Sequence, residues 1–232
     1  LFYSLSISSQ INRYGTPMIS SFDATEIPGN LTSLSVTMDG RGVMYFGNEA
    51  GGILTFDGTS WNLVRTPGAG RITALATDTE GVVFAGGEND FGFIQPDLSG
   101  RLTWHSLAGM ISDSSAIAGI GSITSIAIDS NIVCMTDGKK LYTVETGSDS
   151  VRVTDMNSVS GISAVSSLVA FDKRIIIADR QEGLFEYSEG RISQIPAGEK
   201  AGNTRIVKIV RYDRDNLLIA AARKGLMLFN VR

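Results

Sequence analysis

Cysteine, histidine and proline are scarce in this chain. The 232 residues include one cysteine, one histidine and five prolines. A single cysteine, Cys134, excludes an intrachain disulfide. One histidine and one cysteine cannot assemble a zinc site of the usual kind, and we expect no cofactor. No HExxH, GxGxxG or P-loop motif is present. The residues that most often carry metal, nucleotide or nucleophilic chemistry are therefore mostly missing.

An excess of positive charge and long apolar runs are also missing. Charged residues make up 19% of the chain, and the formal net charge is −4. A nucleic-acid partner is not expected, because phosphate binding needs a basic surface. No Lys/Arg-rich run favours an anionic membrane surface. No run of about 18 apolar residues occurs, so we expect no direct membrane insertion in this segment.

What the chain does have is a repeat. An aspartate closes a similar apolar run at five places, spaced 39 to 51 residues apart: Asp39, Asp78, Asp129, Asp172 and Asp213. There are 26 glycines, as many tight hairpins would need. A period near 40 with four short strands per unit is typical of a β-propeller. The sequence therefore predicts an all-β fold with five blades of four antiparallel strands.

Strand positions follow from apolar runs bounded by turn residues. The first unit predicts strands at 33–38, 43–47, 52–56 and 60–64. Later second strands are predicted at 82–86, 132–136, 175–179 and 217–221; third strands at 92–95, 141–144, 184–187 and 226–229; fourth strands at 102–107, 151–153 and 191–195. Several second strands end in small residues, such as Ala85, Gly86 and Gly87. Small side chains there would let neighbouring sheets approach closely.

The fifth unit lacks a fourth strand. The run Met18–Ile27 precedes the first unit, and we expect it to supply that outer strand and close the last blade. The alternative is a chain cut from a longer array of seven or more blades. The link from Leu107 to Ile123 is about ten residues longer than the others, by comparison of the repeat spacings. It is predicted as a short helix, a flap or an unstructured insertion.

The first nine residues, LFYSLSISS, are uncharged and rich in apolar and small residues. They are similar to the end of a secretory signal peptide, although an ordinary β-prone segment has the same composition. We therefore divide the chain into residues 1–13, a signal remnant or N-terminal arm, and residues 14–232, the propeller.

The units resemble the two-component regulator propeller repeat. Asp39-Gly-Arg-Gly-Val-Met-Tyr-Phe-Gly is followed by Gly52-Ile-Leu-Thr-Phe-Asp-Gly-Thr-Ser-Trp, as in that pattern. Residues 86–93 are similar to the second blade of the same sensors, and residues 14–19 to their mature start. Such propellers form the periplasmic sensing part of membrane-anchored regulators. The resemblance implies a periplasmic location and downstream domains that carry any kinase activity.

Polar residues cluster in the turns between second and third strands, which meet on one face of a propeller. The candidate ligand-binding residues are Asn48, Glu49, Glu88, Asn89, Asp90, Asp137, Lys139, Asp179, Arg180 and Arg223. Their mixed charges and amides suit a glycan or another small polar ligand. The alternatives are a solvated rim and a catalytic carboxylate pair. Trp61 and Trp104 fall in outer strands, where inter-blade packing is expected.

The two reactive side chains favour structural roles. His105 lies in a predicted outer strand, far from the axis, and Cys134 lies inside an apolar run. The sequence predicts a non-catalytic sensing or binding module that signals by altered docking between modules. A homodimer through propellers remains open as a partner. The other open classes are a polysaccharide-acting glycosidase or lyase and a protein-interaction scaffold.

Overall fold

The computed structural model describes residues 21–30, 32–111, 119–202 and 204–231. Over these residues the regular structure is almost entirely strand, with three short 3-10 helices at Ala108–Met110, Met156–Ser158 and Gly198–Ala201. The strands are β1 Ser33–Met38, β2 Met44–Asn48, β3 Ile53–Phe56, β4 Trp61–Val64, β5 Ile72–Thr77, β6 Val83–Gly87, β7 Phe91–Pro96, β8 Leu102–Ser106, β9 Ser125–Asp129, β10 Ile132–Thr136, β11 Lys140–Glu145, β12 Val151–Asp155, β13 Val165–Phe171, β14 Arg174–Asp179, β15 Gly183–Ser188, β16 Arg191–Gln194, β17 Ile206–Arg211, β18 Asn216–Ala221 and β19 Gly225–Asn230.

The strands form five antiparallel sheets. Each sheet consists of consecutive strands and corresponds to one unit of the sequence repeat. Sheets 1 to 4 are β1–β4, β5–β8, β9–β12 and β13–β16, and sheet 5 is the three strands β17–β19. The predicted all-β class is confirmed, and the strands predicted within the five units lie within two residues of the observed ones. This agreement follows from turn residues that end each apolar run, because glycine and aspartate favour tight turns.

The repeated aspartates stand at the turns between the first and second strands of each sheet. Asp39 shows why the position takes this residue. Its carboxylate accepts backbone N–H bonds from Arg41 and Val43 and a hydroxyl bond from Tyr45, at 2.9–3.0 Å. Asp78 likewise accepts from the backbone of its own turn. The side chain thus replaces the backbone partners that a turn lacks.

The sheets pack in series through their first strands. β1 packs on β5, β5 on β9, β9 on β13 and β13 on β17. Each interface holds an apolar core. Between sheets 4 and 5, for example, Ile176 and Leu184 are in one cluster with Ile209 and Leu217. Among the described residues, no comparable packing joins β17 back to β1.

Small residues at the ends of second strands permit this close packing, as predicted. A Cβ added to Gly47 would lie 2.5 Å from the carbonyl oxygen of Ile72 in the next sheet. At Gly86 it would meet the side chain of Ile123, in the link that leads into sheet 3. Side-chain atoms at these two positions would therefore push neighbouring sheets apart.

The expected closing strand is not seen in the part of Met18–Ile27 that the structure describes. Residues 24–29 form turns and bends, and none of residues 21–27 belongs to a strand. Phe22 packs edge-on against Phe56 and Trp61 of sheet 1, with ring centroids 5.0 and 5.4 Å apart. This segment therefore lies against sheet 1 and not at the edge of sheet 5. Residues 18–20, like residues 1–13 of the N-terminal arm, lie outside the described residues.

The long link between sheets 2 and 3 begins with the 3-10 helix Ala108–Met110. Leu107 and Ala108 are buried against sheets 2 and 3. The start of this link therefore contributes to the core. Residues 112–118 lie outside the described range. For them, the expectation of a flap or an insertion stays a prediction.

Candidate functional site

The ten candidate residues do stand at the turns between second and third strands. These turns lie at one end of the sheets, beside the links that lead into each sheet. However, Asn48, Asp90 and Asp179 are buried, with side chains directed into the protein. The predicted binding rim is therefore interrupted by residues whose polar atoms already have partners.

Asp179 has the most extensive set of bonds. Its carboxylate accepts backbone N–H bonds from Ser163 and Ala164, just before β13, and from Gln181 and Glu182 in its own turn, at 2.6–2.9 Å. Burial acts to raise the pKa of this carboxyl, but the backbone donors outweigh it and lower the pKa. The charged side chain thus joins the link to the turn, a structural arrangement that we call the clasp.

The clasp recurs in sheets 1 and 3. Asp137 accepts backbone N–H bonds from Gly121 in the link and from Lys139 and Lys140 in the turn. In sheet 1, Asn48 accepts from the backbone of Ala50 and donates to the carbonyl oxygen of Asn30 at 2.5 Å. The residue at this position joins the link to the turn in three sheets. A polar residue is therefore expected here for structural reasons alone.

Sheet 2 uses its turn differently. Asp90 accepts bonds from the hydroxyl of Ser106 at 2.6 Å and the indole N–H of Trp104 at 3.3 Å. It thereby fixes the outer strand β8. Trp104 also packs against the apolar cluster between sheets 1 and 2, as the inter-blade packing role predicts. Glu88 forms an exposed ion pair with Arg71 at 2.6 Å. Both carboxylates in this turn, those of Asp90 and Glu88, therefore already have partners.

The remaining candidates are exposed residues, namely Glu49, Asn89, Lys139, Arg180 and Arg223. They occupy turns of different sheets, and none of the four with a charged side chain forms an ion pair within the part of the chain that is described. Asn89 has a left-handed backbone, with φ of 67°, which explains an asparagine at this turn. These five residues form separate positions around one rim, and none of them lines the cavities between sheets 3 and 4 or between sheets 1 and 2.

The opposite end of the sheets holds a cleft between sheets 3 and 4 that the sequence analysis missed. A cavity of about 320 Å³ is lined by Glu145, Ser148, Ser150 and Arg152 from sheet 3. Tyr187 and Glu189 line it from sheet 4. A second cavity of about 180 Å³ shares Tyr187 and Glu189 with it and extends toward Asp129 and Lys173. We refer to the two together as the 3–4 cleft.

Arg152 crosses from one sheet to the other. It is exposed on β12, and a Cβ added to Gly190 in sheet 4 would lie 3.0 Å from its Nη1 atom. Within the described residues, Arg152, Glu145 and Glu189 form no ion pair. The cleft therefore presents charged groups of both signs, one tyrosine, and two serines whose hydroxyls lie 3.1 Å from each other.

Two features of the sequence mark the residues of this cleft. Arg152 interrupts the apolar strand Val151–Val153, and Glu189-Gly190 form the turn between third and fourth strands. The prediction considered only turns between second and third strands, which stand at the other end of the sheets. Proximity of Arg152 to Gly190 also depends on the angle between sheets, which no local pattern specifies.

A further cavity of about 360 Å³ lies between sheets 1 and 2 at the same end. Asp39, Arg41 and Tyr45 line it, and the three are already bonded to one another. Burial, followed by the bond to Asp39, raises the pKa of Tyr45. Since these three side chains bond to one another, they have less to offer a ligand than the unpaired charged side chains of the 3–4 cleft.

The two reactive side chains are placed as expected for structural roles. His105 is exposed on the outer strand β8, where its ring stacks on Phe93 at 5.1 Å and its Nε2 lies 3.1 Å from the hydroxyl of Thr103. Cys134 is fully buried in the core between sheets 3 and 4. No group of three potential metal ligands occurs among the described residues. None of their helices is long and apolar enough to cross a membrane.

We expect the thiol of Cys134 to be unreactive in the folded protein. Burial raises its pKa to about 12, so almost no thiolate forms at pH 8, and its side chain is inaccessible. A colorimetric disulfide reagent should therefore label less than a tenth of the thiol in native buffer and all of it in denaturant, by the usual dependence on thiolate and exposure. Rapid stoichiometric labelling of the native protein would contradict the buried position.

Comparisons with solved structures identify the fold. No family model and no curated protein matches the chain. A chain of a mitotic checkpoint complex matches with a TM-score of 0.66 and 16% identity, over 86% of this chain and 64% of that one. A virginiamycin B lyase from Staphylococcus aureus matches at 0.59 and 15%, over 84% and 68%.

A third match is the extracellular domain of a putative hybrid two component system from B. thetaiotaomicron. Its TM-score is 0.56 at 15% identity, over 82% of this chain and 25% of that one. The chain thus spans about two thirds of the first two structures and a quarter of the third. A WD40 β-propeller domain also matches, with a TM-score of 0.57. Five sheets in series with these likenesses identify the fold as that of a β-propeller.

Proposed function

We propose that this chain is a non-catalytic, extracytoplasmic sensing module of a two-component or related transmembrane regulator, and that the 3–4 cleft binds its ligand. Two observations favour the sensor class. The first two units resemble the regulator propeller repeat, and a two component system's extracellular domain is among the structural likenesses. Arg152 carries the choice of site, because it reaches unpaired from one sheet to the next.

The chemistry of the cleft favours a small hydroxylated ligand such as a sugar. Glu145 and Glu189 accept bonds from hydroxyl groups, Arg152 donates to oxygen atoms, and the two serines do both. Tyr187 adds an aromatic wall. Polar groups of this kind, placed around a cavity of a few hundred Å³, are typical of sites that fix a ligand's orientation.

Signalling then follows from the position of the cleft between two sheets. A ligand held by Arg152 on one side and Glu189 on the other favours one angle between sheets 3 and 4. A difference in ligand affinity between two docking angles shifts the population toward the better binding one. That shift is what a downstream output domain would detect.

The test is a thermal-shift screen of neutral and acidic mono- and disaccharides, followed by calorimetry on any that stabilise the protein. We expect Arg152→Ala to weaken binding about tenfold or more, since it removes a charged hydrogen-bond donor. Arg180→Ala, on the originally predicted rim, is the matched control and should leave affinity unchanged.

Three outcomes would change the assignment. Binding that survives Arg152→Ala but is lost in Arg180→Ala would move the site to the rim. Stabilisation by no sugar at all would favour a protein-interaction scaffold, the alternative noted from sequence. Turnover of a polysaccharide would replace the sensor by an enzyme.

The enzyme alternative has specific support, because two of the structural likenesses are virginiamycin B lyase and a third is a streptogramin B lyase. One of these is described as inactive after a histidine-to-alanine substitution. The one histidine here, His105, is on an outer strand stacked on Phe93. Two carboxylates of the predicted rim are also engaged, Glu88 with Arg71 and Asp179 with backbone donors. We therefore keep a lyase as the second candidate only.

A further inference from the structure

The 3–4 cleft has two lobes. The large lobe is the cavity of about 320 Å³ that Arg152 lines, and the small lobe is the cavity of about 180 Å³ that Asp129 and Lys173 line. The side chains of Tyr187 and Glu189 line both lobes. Because the lobes meet at these shared side chains, one ligand can extend from the first lobe into the second.

The small lobe lies beside the shortest turns between first and second strands. In sheets 3 and 4 these turns contain two residues, 130–131 and 172–173. Ser130 and Lys173, one from each turn, line the small lobe. In the other sheets the corresponding turns contain four or five residues, at 39–43, 78–82 and 212–215. The wall of the small lobe is therefore built from turns that depart from the rest of the repeat.

The backbone of these short turns is strained. Ser130, Asp172 and Lys173 have φ angles of 53°, 51° and 63°, and Glu189, in the turn after β15, has 49°. Side chains other than glycine disfavour this left-handed region, and two-residue hairpin turns usually place glycine there. Four of the seven non-glycine residues with positive φ in the described part of the chain thus belong to turns that border the cleft.

The short turn of sheet 3 also loses hydrogen bonds. Asp39 in the longer turn of sheet 1 accepts from two backbone N–H groups and one tyrosine hydroxyl. Asp129, at the same position of the repeat, accepts from the hydroxyl of Ser130 at 3.1 Å, and its Oδ2 is buried without a partner in the described structure. Folding alone does not explain such turns, and local features that oppose folding concentrate at functional sites.

We propose that Lys173 is the ligand-binding residue of the small lobe and that the cleft binds a neutral disaccharide with one ring in each lobe, an assignment that rests on the function proposed above for this cleft. The ammonium group of Lys173 donates hydrogen bonds to the oxygen atoms of one ring. Arg152 does the same for the other ring. The linkage between the rings then lies beside Tyr187 and Glu189, which both lobes share.

The charges of the cleft favour a neutral ligand. Arg174 also lines the small lobe, but it is paired with Glu186. A ligand carboxylate would add negative charge to a site that already holds more carboxylates than cations, which is unfavourable at short range. The lining side chains that form no ion pair within the described residues are three carboxylates and two cations, namely Asp129, Glu145, Glu189, Arg152 and Lys173.

Calorimetry with cellobiose, maltose, lactose, glucose, galactose and glucuronic acid tests this assignment. At least one disaccharide should bind about tenfold more tightly than its component monosaccharides, and glucuronic acid should bind more weakly than glucose. Lys173→Gly should weaken binding of that disaccharide about tenfold, because it removes a charged donor. The same change should raise the melting temperature by about 2 °C, because glycine adopts a positive φ without strain. A lysine with a purely structural role would not combine weaker binding with a more stable fold.

Arg223→Gly is the matched control. Arg223 is also an exposed cation with a positive φ, of 72°, but it lies in the turn between β18 and β19 at the other end of the sheets. Its replacement should raise the melting temperature by a similar amount and leave sugar affinity unchanged.

The possible failures are distinguishable. If Arg152→Ala weakens disaccharide binding and Lys173→Gly does not, the role of the small lobe is overturned and the proposed function stands. Equal affinities for disaccharides and monosaccharides have the same meaning. Tighter binding of glucuronic acid than of glucose overturns the neutral class of ligand. Binding of none of the six sugars overturns both this assignment and the proposed function.

Discussion

Replacing Asp179 by alanine should lower the free energy of unfolding by about 4 kcal/mol, which is a large part of the stability of an ordinary domain. The carboxylate is fully buried and accepts four backbone N–H bonds between 2.6 and 2.9 Å. Alanine would leave these donors without partners in a place that water does not easily reach. Urea unfolding at pH 7 should show a lower midpoint with an unchanged slope.

Arg180→Ala is the matched control for this change. Arg180 follows Asp179 in the chain, but its side chain is exposed and forms no ion pair with the described residues. Its loss should alter stability by less than about 0.5 kcal/mol. Equal effects of the two substitutions would mean that the clasp contributes nothing and that the turn alone is sensitive.

The clasp also predicts the pH dependence of stability. The pKa of Asp179 in the folded protein is lowered, although burial opposes the shift. A carboxyl with a lowered folded pKa binds its proton more readily when unfolded, so its contribution is present above the unfolded value of about 4 and is lost as the pH falls through the folded pKa. The difference between the unmodified chain and Asp179→Ala should therefore shrink on acidification below that value.

Gly47→Ala should cost about 3 kcal/mol, although it adds a single methyl group, because overpacking a close contact forces the backbone to move. The added Cβ would lie 2.5 Å from the carbonyl oxygen of Ile72 and 2.8 Å from its side chain. A backbone atom cannot turn aside as a flexible side chain does. The expected result is a lower urea midpoint together with a loosened contact between sheets 1 and 2.

Gly40→Ala provides the control, because a Cβ at Gly40 has no heavy atom within 4 Å. That variant should stay within about 0.5 kcal/mol of the unmodified chain. If both variants unfold at the same urea concentration, the sheets are farther apart than this structure places them.

The sequence predicted the strands well because their boundaries are local. Turns such as Asp57-Gly58 end one apolar run and begin the next, and such turn chemistry acts within four residues. The five sheets therefore followed from the repeat. The closing strand at Met18–Ile27 did not, because an apolar run does not reveal which sheet it meets. Contacts of Phe22 with Trp61 are set by tertiary packing.

The candidate site was harder to predict for a physical reason. An aspartate in a turn has the same local sequence whether it faces water or accepts bonds from a link that lies 15 residues earlier, as Asp179 does from Ala164. Conversely, the 3–4 cleft joins Arg152 and Tyr187 across two sheets. Sequence patterns give the inward or outward side of one strand, but not the relative position of two sheets.

Packing in series has a consequence for how the protein loses its structure. Within the described residues, sheets 2, 3 and 4 each pack against a neighbour on both sides, whereas sheets 1 and 5 each pack against one. When stability is a sum over neighbouring units, a sheet with fewer neighbours loses its structure more easily. In this part of the chain, sheet 5 should therefore unfold before sheets 3 and 4, and the walls of the 3–4 cleft should persist through that first step.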